Sequence, residues 1–175
     1  RPELEGYSVA DASAIGLGLR IFVPRAGKQA LIDRLEQLGA VAATAEEQNI
    51  VRLERFRPVY GLDFSDKHLV HETQLLDAVH FSKGCYLGQE VIARIHWRGQ
   101  PAKRLRGLLI EMPIEADALP SRGTELWAVA GQMAGRRAGE ITSSVFSFAL
   151  DRKIALGYAH RYCLEAGTEF ILKQG

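Results

Sequence analysis

The second half of the chain consists of short apolar segments separated by glycine and proline, and this pattern restricts the fold more than any other feature. The character changes at Gly99-Gln100-Pro101, and Pro120, Gly123, Gly139 and Gly167 punctuate the remainder of the chain. Each segment has the length of a β-strand rather than of a helix. Short strands at this spacing are typical of a small antiparallel barrel or sandwich. The segments are residues 105–110, 124–129, 140–148, 154–158 and 169–172.

The first half combines helical and extended patterns. Residues 19–23 are predicted as a strand, and residues 28–38 carry one apolar face that ends at Gly39, which indicates a helix and its C-terminal stop. Weak strand character comes next, around Val41.

A second helix is predicted to begin at a capping box formed by Thr44 and Glu47 and to end before Pro58. A short helix is expected within residues 75–79, and another over residues 88–95. Helices that precede a block of strands predict an α+β fold, with a boundary near residues 99–103.

The composition is that of a soluble globular protein. Of 175 residues, 47% are hydrophobic and 25% are charged, and the formal net charge is +1. This balance gives no electrostatic reason to expect direct nucleic-acid binding. The uncharged runs at residues 126–135 and 141–150 are too short to cross a bilayer, so no membrane partner is expected. The two cysteines form no C-x-x-C pair, which favours a reducing cytoplasm.

Residues 83–90, with the sequence KGCYLGQE, are the strongest candidate for a functional site. Gly84 and Gly88 flank Cys85 in a turn that leads into a helix, and glycine allows unusual backbone angles and the close approach of a ligand. Lys83 and the helix N-terminus favour the thiolate form of a nearby cysteine. A lone cysteine is more often a buried structural residue. The polar, glycine-rich surroundings make the two interpretations equally good.

Three other patterns have ordinary explanations. His68 and His71 lack the H-E-x-x-H spacing and further ligands, so no metal site is predicted and both are interpreted as solvated loop histidines. Glu54 has the chemistry to bind a nitrogen heterocycle, but an exposed helix carboxylate is the commoner case. A basic stretch with one aromatic residue is interpreted as a solvated linker; it comprises Arg94, Trp97, Arg98, Lys103, Arg104 and Arg106.

The octapeptide at residues 83–90 resembles the K-G-C-Y-x-G-Q-E signature of the YgfZ-like folate-binding proteins, which are relatives of the glycine cleavage T-protein, an aminomethyltransferase. Four other elements agree with this resemblance, which extends from about residue 14 to residue 172, and two of them are Glu72-Thr73 and Arg94 with Arg98-Gly99. Residues 139–143 resemble the family's G-x-V-T-S element. Its R-x-E-x-G-x-P-x-Y-G-x-D run is matched at Arg52, Glu54, Pro58, Tyr60, Gly61 and Asp63.

The resemblance implies the fold, ligand and partners. Residues 1–101 would be the N-terminally incomplete end of a folate-binding region, and residues 102–175 a C-terminal β-barrel. Because the family chain is longer and this sequence opens with Arg1-Pro2-Glu3, a fragment is expected. The implied protein binds tetrahydrofolate and assists iron–sulfur apoproteins or assembly factors, with a link to tRNA modification. Cys85 and Lys83 would act chemically, and the residues implied to bind folate are Gln48, Glu54, Tyr86, Gln89, Glu90 and Arg94.

The sequence departs from the family pattern in three places. Phe56 replaces the glycine of the run, and this substitution can give the turn after Glu54 a conformation different from that of the family. Gln48 stands where some members have a folate-stacking tryptophan, and His80-Phe81-Ser82 stands where T-proteins have basic residues. Two alternatives remain: an aminomethyltransferase that transfers a one-carbon unit to tetrahydrofolate, or an interaction domain without ligand binding. T-proteins lack the octapeptide. The resemblance therefore implies that a chain with Cys85 in this octapeptide is an iron–sulfur accessory protein rather than an aminomethyltransferase.

Overall fold

The structure, a computed structural model, describes residues 7–11, 18–81, 83–111 and 118–174. The fold is α+β, as predicted. Residues 1–3, on which the expectation of a longer chain partly rests, and Ser82 lie outside the described residues. The helices are α1 (Lys28–Gln37), α2 (Ala45–Glu54), α3 (Val70–Thr73) and α4 (Gln89–Arg98). The strands are β1 (Tyr7–Asp11), β2 (Gly18–Phe22), β3 (Lys103–Ile110), β4 (Glu125–Ala128), β5 (Arg137–Ser147), β6 (Arg152–His160) and β7 (Phe170–Lys173).

Local signals place α1, α2 and α4 where the sequence predicts them, whereas α3 is not among the predicted helices. Helix α1 is followed by Gly39 in a left-handed conformation with a φ of 90°. At the start of α2, the backbone N–H of Glu47 donates to the Thr44 hydroxyl (3.1 Å) and the Thr44 N–H donates to the Glu47 carboxylate (2.7 Å). These two bonds confirm the capping box. The prediction of a strand at Val41 is wrong, because this exposed residue has no strand partner and adds nothing to a core.

The longest of the described helices have ten residues, and none of them is long and apolar enough to span a membrane. The predicted helix at residues 75–79 is a single 3-10 turn over Leu76–Ala78. Strand β1, which pairs with β2 in an antiparallel hairpin, is not among the predicted strands. Its five residues contain too short an apolar pattern to stand out from a loop.

The C-terminal half forms one antiparallel five-stranded sheet with the order β3-β6-β5-β4-β7. All five strands coincide with predicted segments. Among the described residues β3 and β7 lie at opposite edges and do not pair with each other, so the sheet is open rather than a closed barrel. Closure requires tilted and staggered strands around the whole circumference. Strands β4 and β7 have only four residues each, which limits how far they can wrap.

The main core cluster joins α2 to the sheet. Leu53 of α2 is 4% exposed, and Ile50 and Phe56 pack beside it. The first half of the chain therefore contributes directly to the core of the β-sheet, and the division into two domains at residue 101 stays a prediction. The sheet residues of this cluster are Leu105, Val145, Ile154, Leu156 and Tyr158.

The turn after α2 keeps a glycine-like conformation without glycine. Phe56 has a φ of 52°, in the left-handed region that costs a non-glycine residue on the order of 1–3 kcal/mol. Its ring packs against the core cluster and offsets this strain by burial. Phe56 therefore places a large side chain where the family has glycine, and its backbone is still left-handed.

Candidate functional site

The octapeptide at residues 83–90 forms a compact turn that presents Cys85 to solvent. The Tyr86 N–H donates to the Gln89 side-chain oxygen (3.2 Å), and the Gln89 N–H donates to the Tyr86 carbonyl (3.3 Å). The Lys83 ammonium lies 4.9 Å from the centre of the Tyr86 ring, in a cation–π contact. Gly88 has a φ of 84° and begins α4, whereas Gly84 does not adopt a left-handed conformation. Contacts among residues 83–89 stabilise this segment, and Cys85 is exposed.

The two cysteines have opposite environments. Cys163 lies in a 3-10 turn over Arg161–Cys163, is 4% exposed and packs with Ala128 and Ala138. Burial raises the pKa of the Cys163 thiol, because the thiolate loses its hydration. Cys85 is exposed beside Lys83. Cys85 is therefore accessible to reagents in solution, whereas Cys163 is shielded from them.

We expect Cys85 to be alkylated much faster than Cys163 at neutral pH, because only exposed thiolate reacts. Iodoacetamide labelling of the folded protein, quenched at intervals and followed by peptide mapping, measures both rates in one sample. Labelling in denaturant provides the control, since both thiols should then react at similar rates. Equal or faster labelling of Cys163 in the folded protein would contradict the assignment.

A buried ion pair connects α2, the loop after it and β5. The Arg52 guanidinium donates to Oδ2 of Asp63 at 2.6 Å, and their side chains are 9% and 0% exposed. The Val59 N–H also donates to Oδ2 (2.9 Å), while the hydroxyls of Thr142 (2.7 Å) and Ser143 (2.5 Å) donate to Oδ1. Asp63 therefore accepts four hydrogen bonds from three separate parts of the chain. We call this group of five residues the polar clamp.

A β-bulge in β5 makes the polar clamp possible. Ile141 pairs with Gly157 and Ser143 with Leu156, so Thr142 is an extra residue without a partner in β6. Neighbouring side chains on a regular strand face opposite sides of the sheet, and a bulge alters this alternation. Both Thr142 and Ser143 consequently reach the same carboxylate oxygen. The run at residues 52–63 and the element at residues 139–143 thus meet in one buried network.

Glu54 and Gln48 lie on α2 in different surroundings. The Glu54 carboxylate is half-buried and accepts hydrogen bonds from the Ser147 hydroxyl (2.6 Å) and the Ala149 N–H (3.3 Å), at the turn between β5 and β6. Gln48 is exposed, and its amide donates to the Ala43 carbonyl (3.1 Å). Glu54 therefore anchors α2 to the sheet through one oxygen. Gln48 makes a local hydrogen bond to the residue that precedes the N-cap of α2.

The remaining predicted folate residues lie in the octapeptide and on α4, where Glu90 and Arg94 are exposed and Tyr86 and Gln89 are half-buried. Two cavities lie among the described residues near the site elements, and neither is lined by any of the six predicted folate residues. The smaller, of about 130 Å³, lies beside the polar clamp, and the larger, of about 670 Å³, lies at the C-terminal end of α4.

The prediction of solvated histidines is wrong. His71 is 7% exposed in α3, and His68 stacks on the ring of Tyr158 with 4.7 Å between ring centres. Burial is the main cause that lowers the pKa of both imidazoles. No group of three or more histidine, cysteine or acidic side chains in the described ranges is arranged to hold a metal ion. These histidines pack against other elements, a role that their sequence spacing does not reveal.

The larger cavity brings together residues that the sequence analysis does not connect. It is lined by His96, Trp97 and Arg98 of α4 and by Arg161 and Tyr162, which follow β6. The basic stretch around Trp97 is visible in the sequence, but its partners come more than sixty residues later. The adjacent arginine and tyrosine at residues 161–162 are a weak signal, because such a pair is common on protein surfaces.

Comparison with known proteins matches residues 103–174 to the glycine cleavage T-protein C-terminal barrel domain. An aminomethyltransferase of Symbiobacterium thermophilum is 30% identical over 143 residues, which cover 81% of this chain and 35% of the relative. The mitochondrial iron–sulfur cluster assembly factor IBA57 of Mus musculus is 39% identical over 66 residues, covering 37% of this chain and 18% of that protein. The tRNA-modifying protein YgfZ of Pectobacterium carotovorum is 32% identical over 104 residues, covering 55% of this chain and 31% of that protein.

The solved structures give the same answer for the fold. The crystal structure of glycine cleavage system aminomethyltransferase T from Bartonella henselae superposes with a TM-score of 0.79 at 22% identity, covering 99% of this chain and 47% of that one. The chain spans at most 35% of the length of the three curated relatives described above. Taken with the octapeptide and the elements joined by the polar clamp, these matches show that the chain belongs to the glycine cleavage T-protein superfamily and corresponds to the C-terminal portion of its YgfZ-like members.

Proposed function

We propose that the protein is an accessory factor in iron–sulfur cluster assembly or repair, in which Cys85 is the working thiol. One observation carries the proposal: Cys85 is exposed immediately before the Tyr86–Gln89 turn, whose bonds among the described residues are made by groups other than the thiol. Cysteine thiolates are the usual protein ligands of iron–sulfur clusters. A thiol that is exposed, flanked by glycine and close to Lys83 is suited to contact a cluster or a cluster-bearing partner.

The names of the relatives are consistent with this proposal. They include an iron–sulfur cluster assembly factor and a tRNA-modifying protein. We propose that the link to tRNA modification runs through iron–sulfur enzymes, and that the protein works in the cytoplasm. Aminomethyltransferases are also among the relatives, so the alternative is transfer of a one-carbon unit to tetrahydrofolate. Cys85 within the octapeptide favours the first function.

The full-length protein that contains this chain separates the two functions. Cells that lack the protein should show reduced activity of iron–sulfur enzymes, and expression of the wild-type protein should restore it. The purified protein, given tetrahydrofolate and an aminomethyl donor on its carrier protein, should form no methylene-tetrahydrofolate above the rate without enzyme. Catalysed formation of that product, with normal iron–sulfur enzymes in the cells, would establish the alternative instead.

We also propose that the full-length protein binds tetrahydrofolate and that the described residues form only part of the site. This chain covers between 18% and 35% of the three curated relatives described above, so most of each relative lies outside the match. Among the described residues, Glu54 engages Ser147 and Ala149 through Oε1, and Oε2 is proposed to receive an N–H donor. The proposed contributors are Glu54, Gln48 and the octapeptide with α4, namely Tyr86, Gln89, Glu90 and Arg94.

Glu54→Gln should weaken folate binding to the full-length protein about tenfold to a hundredfold, because part of a charged, paired contact is lost. The glutamine oxygen can still accept from Ser147, so the unfolding midpoint should change little. Ser147→Ala is the matched control, since it removes the structural bond and keeps the carboxylate. Fluorescence titration with tetrahydrofolate and thermal unfolding measure the two effects. Unchanged affinity in Glu54→Gln would remove Glu54 from the folate site.

A further inference from the structure

The larger cavity is a shallow groove of about 670 Å³ whose composition points to a ligand. Trp97, at the C-terminal end of α4, is 73% exposed, and Tyr162 is 49% exposed. Large aromatic side chains normally contribute to a core, and this pair instead lines one open surface. Two exposed aromatic side chains in one groove are suited to stacking with flat ring systems.

Cationic groups accompany both aromatic residues. Arg98 follows Trp97 in the chain, and the Arg161 guanidinium lies 4.9 Å from the Tyr162 ring centre and donates to its hydroxyl (3.0 Å). No acidic residue of the described ranges lines the groove. The C-terminal end of α4 contributes about half a negative charge from its dipole, which the two arginines outweigh. The groove therefore favours an anionic ligand.

The aromatic side chains are held in position by neighbouring groups. His96 stacks on Phe81 with 3.8 Å between ring centres, and its ring meets that of Trp97 edge-on at 4.8 Å. The Arg161 N–H donates to the Ala102 carbonyl (2.8 Å) and thereby fixes the opposite wall to the linker before β3. A site with fixed walls loses less entropy on binding than a mobile one.

From this combination we infer that the groove binds single-stranded RNA, with bases stacked on Trp97 and Tyr162 and phosphates beside Arg98 and Arg161. Stacking on aromatic side chains within a cationic groove is the common mode of single-strand recognition. An open groove suits a chain that passes along it, whereas small molecules are usually enclosed. The net charge of +1 gives no reason to expect this contact, because the net charge of a chain does not describe the charge within one groove. The groove is lined neither by Cys85 nor by a predicted folate residue, and direct contact with RNA goes beyond the proposed function.

Fluorescence anisotropy of a labelled oligouridine of about twelve nucleotides tests the inference on the full-length protein. We expect a dissociation constant of about 1–100 µM at physiological salt. Trp97→Ala should weaken binding about fivefold to 150-fold, and Trp97→Phe, which keeps a stacking face, should bind more tightly than Trp97→Ala. Arg98→Gln and Arg161→Gln should each reduce the slope of log affinity against log salt by about 0.7.

Matched variants and competitors complete the design. Phe148→Ala and Arg55→Gln change an exposed aromatic and an exposed arginine outside the groove, and both should bind like the wild type. Cys85→Ser should also bind normally, which separates this proposal from the function of the thiol. Duplex RNA of the same length should bind at least about tenfold more weakly, because paired bases cannot stack on protein. Equal affinity for the duplex, displacement by uridine monophosphate at micromolar concentration, or unchanged binding by Trp97→Ala would each overturn the inference.

Discussion

Asp63→Asn is expected to destabilise the protein by about 3–5 kcal/mol, the usual cost of removing one partner from a buried ion pair. The Arg52 guanidinium would remain nine-tenths buried, facing an amide in place of a carboxylate. Asparagine supplies one acceptor oxygen, whereas Asp63 now uses both of its oxygens to accept four hydrogen bonds. Urea unfolding followed by circular dichroism measures the change in free energy.

Arg137→Gln is the control for this measurement. Arg137 forms ion pairs with Glu125 (3.0 Å) and Glu140 (2.8 Å), but its side chain is 51% exposed. Exposed pairs contribute about 0–1 kcal/mol, because water competes for both charges. Asp63→Asn should therefore cost several times more than Arg137→Gln. Similar losses in the two variants would show that the polar clamp is not a centre of stability.

Gly139→Ala should destabilise the protein by about 3 kcal/mol or more, and the soluble yield should fall with it. A Cβ atom at Gly139 would overlap the carbonyl oxygen of Tyr158 and lie 2.9 Å from its carbonyl carbon. Both atoms belong to the backbone of β6, which cannot move without breaking its pairing with β5. The close approach explains why the G-x-V-T-S element begins with glycine.

Gly84→Ala provides the matched control for Gly139→Ala. A Cβ atom at Gly84 would meet no atom of the described residues within 4 Å, and its φ is not in the left-handed region. This substitution should change the free energy of unfolding by less than about 1 kcal/mol. Thermal unfolding of the two variants, with soluble yield recorded for each, is sufficient. A Gly139→Ala protein as stable as Gly84→Ala would contradict the close packing of β5 on β6.

Features that depend on neighbouring residues are predicted well from the sequence. The capping box at Thr44 and Glu47 is formed by residues three apart, and the strand segments carry their own apolar pattern. Features that depend on distant partners are not. Thr142 and Ser143 reach Asp63 across about eighty residues, and no local pattern indicates which carboxylate they meet. The burial of His71 and the opening of the sheet likewise result from tertiary packing.

The resemblance identifies important residues whose roles only the structure makes visible. Arg52, Asp63 and the Thr142-Ser143 pair are explained by the polar clamp, and Gly139 by its contact with β6. These elements stabilise the fold. Cys85 has no such explanation, because its side chain is exposed and the bonds within its turn are made by other residues. We propose that this thiol serves function rather than folding.

Complementation with Cys85→Ser tests this claim most directly. The variant is introduced into cells that lack the protein, beside the wild type and Cys163→Ala, and the activity of an iron–sulfur enzyme is measured at matched protein levels. We expect Cys85→Ser to unfold at the wild-type denaturant concentration and to restore no more activity than an empty vector. Cys163→Ala should restore activity, since its thiol is buried. Full restoration of activity by Cys85→Ser would contradict the account.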